Sequence, residues 1–212
     1  MRRVLMGAAL LTGLAGASSA RADCSTEVQL AVQAQGKQRF LRKETQLVSE
    51  EGPVNMTIEY QIPDRMRQIV SLVADPKPVE TIVVGDKAWS NAGQGWKEVA
   101  EPETQQLIQF MIKSGSQIYQ DVGKFECLGA ETVDGKQLRA YRGLDEAPNV
   151  PGKDPPQTQK NEAVRMIYLD AETGLPARSI FARPAMLDKP IFKEVYTYPA
   201  ELKIEPPANV KK

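Results

Sequence analysis

The chain contains no histidine and two cysteines, and these two facts limit the chemistry open to it. Without histidine there is no Ser-His-Asp or Cys-His activation of a nucleophile, and the commonest zinc ligand is missing. Carboxylates are plentiful, with Glu50 beside Glu51, Asp170 near Glu172 and Glu98 near Glu101. Acid–base catalysis needs two such groups in an apolar cleft. These sit in turns or at strand ends, where solvated surface is the better reading. There is no glycine-rich phosphate loop, no C-x-x-C and no metal-ligand cluster. The sequence therefore reads as a non-enzyme with no catalytic residue, no metal site and no cofactor. The triplet Asn55-Met56-Thr57 has the letters of a glycosylation acceptor and is read as accidental.

Cys24 and Cys127 form an even pair. In an oxidising compartment such a pair reads as a disulfide, with two free thiols or a redox pair as alternatives. A loop of about 100 residues closed by the bridge is worth roughly 4–5 kcal/mol in the chain-entropy account.

The compartment is read from the N-terminus. Arg2 and Arg3 begin an n-region, Val4 to Leu14 form an apolar run, and Ala20-Arg21-Ala22 offers small residues for cleavage before Asp23. The run is too short to span a bilayer. Residues 1–22 are thus expected to be a cleaved signal peptide, with residues 23–212 forming a single domain outside the cytoplasm that does not span a membrane. Three arginines leave with the signal, from a chain whose 27 basic and 27 acidic side chains balance. The mildly acidic remainder gives no reason to expect nucleic acid as a partner. A monomer is expected.

The mature chain opens with a helix. Thr26 to Gln29 has the form of a capping box, Val28, Ala31 and Val32 share one face, and Gly36 is a plausible stop. A polar strand follows over residues 39–48. The clearest strand is Val54 to Ile62, in which Val54, Met56, Ile58, Tyr60 and Ile62 alternate with polar residues. Short strands and turns then succeed one another over residues 66–74, 79–84, 87–91 and 96–99. After residue 125 they resume over 125–133, 136–144, 163–169, 177–183 and 191–198. Asp134-Gly135 signals a type I′ hairpin. Between the two runs, Pro102 and the acids beside it start a helix. Leu107, Ile108, Phe110, Met111 and Ile112 cover most of its circumference, so it is expected inside the curve of the sheet. The fold class expected is mostly β (α+β): a curved antiparallel sheet of roughly ten strands. The proline-rich residues 146–162 read as a mobile loop, either a lid or functionless surface.

The ordered motifs resemble the periplasmic lipoprotein carriers of the LolA type and their relatives, which include mycobacterial lipid-binding lipoproteins and the sensor domain of RseB. The residues that carry the resemblance are Ile62-Pro63-Asp64-Arg65, the strand Glu80 to Trp89 with its Gly85-Asp86-Lys87 turn, Gly95-Trp96, the Asp170 to Pro176 hairpin and the closing Ile204 to Val210. Where the lipoprotein carriers place an arginine before the first proline, this chain has Ile62. The resemblance implies an open half-barrel wrapped around one or two helices. It implies a periplasmic, non-catalytic protein whose partner is a lipid, an acyl chain or a lipoprotein in an apolar cavity. An envelope protein-interaction or stress-sensing module of the same fold is the alternative.

Residues expected to line that cavity are Val54, Met56, Ile58, Tyr60, Leu72, Trp89, Leu107, Phe110 and Met111. Methionines such as Met56, Met66 and Met111 would suit acyl chains of variable shape. The same residues could instead fill a closed core, and Trp89 with Trp96 could simply brace a hairpin.

Overall fold

The structure is a computed structural model and describes residues 23–50, 52–74, 77–116, 121–144 and 163–211. The expected signal segment 1–22 and the proline-rich segment 146–162 lie outside the described residues.

Among the described residues, eleven strands form one open antiparallel sheet. They are β1 (Phe40–Ser49), β2 (Gly52–Gln61), β3 (Arg65–Leu72), β4 (Val79–Val84), β5 (Lys87–Asn91), β6 (Lys97–Glu98), β7 (Phe125–Val133), β8 (Lys136–Gly143), β9 (Val164–Asp170), β10 (Pro176–Ala182) and β11 (Phe192–Thr197). Their order in space is β6-β5-β4-β3-β2-β1-β11-β10-β9-β8-β7. Two meanders are thus joined where the first strand pairs with the last, with Lys43 opposite Tyr196 and Leu47 opposite Phe192. Turn chemistry sets the hairpins. Asp134 and Gly135 both take positive φ, 51° and 78°, as a type I′ turn requires. The carboxylate of Asp170 accepts from the N–H groups of Glu172 and Thr173, at 3.1 and 2.8 Å, which closes the β9–β10 turn.

Helix α1 (Cys24–Gln35) precedes the sheet, and helix α2 (Glu101–Ser116) carries the chain from one sheet edge towards the other. The expected capping box at Thr26 does not form, because the helix begins two residues earlier. Asp23 caps it instead, accepting from the N–H groups of Ser25 and Thr26. The hydroxyl and N–H of Thr26 hold the Asp23 carboxyl below its usual pKa. Gly36 does end the helix, but with right-handed φ, −63°, so no left-handed cap is made. Cys24, in the first turn of α1, is bonded to Cys127 of β7, with 5.4 Å between their Cα atoms.

Facing residues on paired antiparallel strands share one side of a sheet. Followed across the whole sheet, this places α1 and α2 on the same face. On that face Leu41, Tyr60, Met66, Val83 and Ala88 stand side by side across β1 to β5. All are at most 1% exposed, and Met111 of α2 seals them with help from Leu107 and Ile108. Each large apolar side chain so enclosed contributes about 1.5–3 kcal/mol. The helix is not enclosed all round, as its composition suggested. Phe110 and Ile112 are 38% and 46% exposed, because α2 meets the sheet along a single stripe. Under α1, Val28, Ala31 and Val32 pack on Phe125, Tyr141, Ile167 and Leu169.

The opposite face carries two further clusters. Ile204 and Val210 of the C-terminal segment cover Ile82, Trp89 and Trp96, and Lys211 bonds in parallel beside Lys97. Leu138, Ala140, Met166, Tyr168, Ile180 and Ala182 form the other cluster.

Candidate ligand-binding face

The helix-bearing face is best described as rows that run across the strands. The first row is the closed core beneath α2. The second holds Ile58 and Lys43, with Tyr196 beyond. The third runs Val79, Val70, Met56, Thr45, Glu194, Ser179. The fourth runs Leu72, Val54, Leu47, Phe192, Phe181, Arg165 and spans six strands.

Burial separates these rows. Ile58 is 2% exposed and belongs with Tyr60 and Met111 in the packed core. Met56 and Val70 in the third row are half-buried, as is every residue of the fourth. Here the sheet presents hydrocarbon that its own helices do not enclose. Phe181 and Phe192 stand edge to face, with ring centres 6.1 Å apart.

Between core and apolar rows lies a polar centre. Lys43 is 4% exposed. Its ammonium donates to the carbonyl of Ser114 at 3.0 Å and lies 5.6 Å from the Tyr60 ring and 5.8 Å from the Tyr196 ring. Burial pushes its pKa down, and the Glu194 carboxylate opposes that shift. Thr45 donates to Glu194 at 3.2 Å, and the hydroxyls of Tyr60 and Ser114 are 2.8 Å apart. Close packing also fixes α2 over this point: a Cβ on Gly115 would come within 2.9 Å of the Tyr60 ring.

The structure brings most of the nine expected residues to one side. Val54, Met56 and Leu72 line the half-buried rows. Ile58, Tyr60 and Met111 are in the packed core, which Leu107 borders. Phe110 is on the outer side of α2. Trp89 stands on the opposite face, against Ile204. Sequence reasoning missed Leu47, Val70, Phe181 and Phe192 as members of the rows, and Lys43 as a buried charge.

The architecture can now be compared with known structures. The fold is that of two mycobacterial proteins, LprF and the lipoprotein LppX. LprF from Mycobacterium bovis superposes with a TM-score of 0.55 at 13% identity, covering 87% of this chain and 97% of its own. LppX from Mycobacterium tuberculosis gives 0.55 at 12% identity, covering 85% and 97%. The fold expected from the sequence resemblance is therefore the one observed. No family model matches the sequence, and no curated protein matches it.

A concavity lies on the opposite face of the sheet, away from the helices. It has a volume of about 220 Å³ and is lined by Arg42, Glu44, Thr57, Glu59, Arg67 and Ile69. Its two arginines are already paired: Arg42 meets Glu59 at 2.6 Å, and Arg67 meets Glu80 at 2.5 Å. A self-neutralised ladder of this kind offers little to a charged ligand and no continuous hydrocarbon to an apolar one. Among the described residues, no cluster of three metal-ligating side chains occurs, and no helix is long and apolar enough to cross a membrane.

Proposed function

We propose that this chain is an exported, periplasmic, non-catalytic binder that holds the acyl chain of a lipid or lipoprotein against the third and fourth rows of its sheet. The observation that carries this reading is the half-buried apolar row from Leu72 to Phe181, on the face where both helices pack. The N-terminal signal and the Cys24–Cys127 bridge support an oxidising compartment. The absence of histidine supports a role without covalent chemistry. LppX, which shares the fold, is itself a lipoprotein. Residues 23–212 are read as one half-barrel domain that acts as a monomer. Val54, Met56 and Leu72 would touch the ligand, whereas Ile58, Tyr60 and Met111 would support the wall from behind. Each methylene removed from water is worth about 0.8 kcal/mol. A chain laid along several strands gains several such increments, less the cost of ordering it.

The test is a titration of the purified protein with a fluorescent fatty acid. Saturable binding is expected. A Val54→Asp change should weaken it at least tenfold, because a carboxylate would meet the hydrocarbon. Asn55→Asp, on the same strand but the other face, should change it less than twofold. Absence of binding, or equal binding by Val54→Asp with its fold intact, overturns the reading.

A further inference from the structure

We infer that the ligand held on this face has an uncharged head that donates a hydrogen bond, and that Glu194 receives it. This rests on the acyl-binding reading above and adds the chemistry of the head.

The third row gives the direction, because its two halves differ. Val79, Val70 and Met56 are apolar, whereas Thr45, Glu194 and Ser179 are polar. Two residues along the same three strands stand Leu47, Phe192 and Phe181 of the fourth row. The polar half is thus bordered by hydrocarbon on two sides. Four strand spacings separate Val79 from Glu194, about 19 Å, a span suited to an extended acyl chain. A tail lying over Val70 and Met56 therefore brings its head to the polar half.

Burial singles out one member of that half. Thr45 and Ser179 are 2% and 6% exposed, whereas Glu194 is half-buried. The carboxylate is the polar group that a ligand reaches. Its own neighbours hold it in place. The Thr45 hydroxyl donates to its Oε1 at 3.2 Å, and the Tyr196 phenol bonds to the same side chain. A carboxylate has about four lone-pair sites and no donor, so it can accept from a ligand as well. Charge narrows the ligand further. Lys43, 4% exposed in the adjoining row, is attracted to this carboxylate. An anionic head would be repelled by Glu194, and a cationic one would meet the buried ammonium. A hydroxyl or an amide N–H bonds to the carboxylate and adds no charge to the pair.

The experiment is competition for a bound fluorescent acyl alcohol by four ligands with the same palmitoyl tail. Palmitoylglycerol and palmitamide are neutral donors, methyl palmitate is neutral without a donor, and palmitate is anionic. A hydrogen bond to a charged group predicts that a neutral donor binds about tenfold or more tightly than the ester, with palmitate weakest. Preference for palmitoylglycerol assigns a hydroxyl head, and preference for palmitamide assigns an amide. In Glu194→Gln, which keeps the size and removes the charge, palmitate should no longer rank below the ester. The advantage of the donors should fall below about threefold. Lys43→Met combined with Glu194→Gln should show the same loss of discrimination without leaving an ammonium buried, and it decides the matter where the single variant does not fold. Equal binding of the donors and the ester by the wild type overturns the inference and leaves acyl binding standing. Full discrimination in either folded variant also overturns it. Failure of all four ligands, and of the alcohol, overturns the acyl-binding reading together with it.

Discussion

Lys43 is a charged residue in a place suited to an apolar one. Its ammonium lies beside the rings of Tyr60 and Tyr196 and reaches one carbonyl of α2. Because burial lowers its folded pKa below the usual 10.5, the unfolded chain binds the proton more tightly. Stability should therefore rise with pH between the lowered folded pKa and 10.5, at up to about 1.4 kcal/mol per pH unit. Tyr141 acts in the opposite sense at higher pH. Burial, with the hydroxyl bonded to Glu27, pushes its pKa up to about 12, so its contribution is lost above about pH 10, where the unfolded phenol ionises. Urea denaturation from pH 7 to 12 should show a rise and then a fall, and Lys43→Met should abolish the rise below pH 10. Persistence of that rise in Lys43→Met would show that the lysine is not its source. At this scale the sequence was only partly legible. Alternation from Val54 to Tyr60 marks the inner face correctly, because period two is a property of the strand alone. Nothing local marks Lys43 as buried or Arg165 as the end of an apolar row, since both depend on strands brought together from distant parts of the chain.

Among the elements, α1 depends most on a covalent tie. It is a twelve-residue helix that rests on β7 to β9 through Val28, Ala31 and Val32, and isolated helices of that length are marginal in water. The bridge from Cys24 closes a loop with a sequence separation of 103. Cys127→Ser should cost roughly 2–5 kcal/mol, and hydrogen exchange should speed up first at the amides of α1. Unchanged protection of α1 in the variant would show that packing alone holds the helix. Element boundaries were mostly legible from turn chemistry, as Asp134-Gly135 and the Asp170 turn show. The cap of α1 was not, because Asp23 starts the helix three residues before Thr26 and accepts from the N–H groups of Ser25 and Thr26. The burial of α2 was also overstated. Its composition is apolar nearly all round, but one stripe suffices to cover the first row, and Phe110 and Ile112 are left outside.

For the molecule as a whole, the decisive feature is the pairing of β1 with β11. It joins two meanders into one sheet and completes the fourth row, where Leu47 of the first strand meets Phe192 of the last. Sequence pattern gave the strands and their antiparallel succession, and the ordered motifs pointed to the right architecture. The pairing of first with last is set by closure of the whole chain and leaves no local signature. The same pairing sets the packed core apart from the half-buried rows. Helix α2 seals the row from Leu41 to Ala88, and the two rows beyond it retain half-buried hydrocarbon. The most direct test is to purify the protein from its own envelope and weigh it under native conditions. The protein should carry one acylated adduct that organic solvent removes and that a folded Leu47→Asp variant lacks. A wild-type protein that is always free of adduct, and that takes up no acyl ligand when one is supplied, would contradict the account.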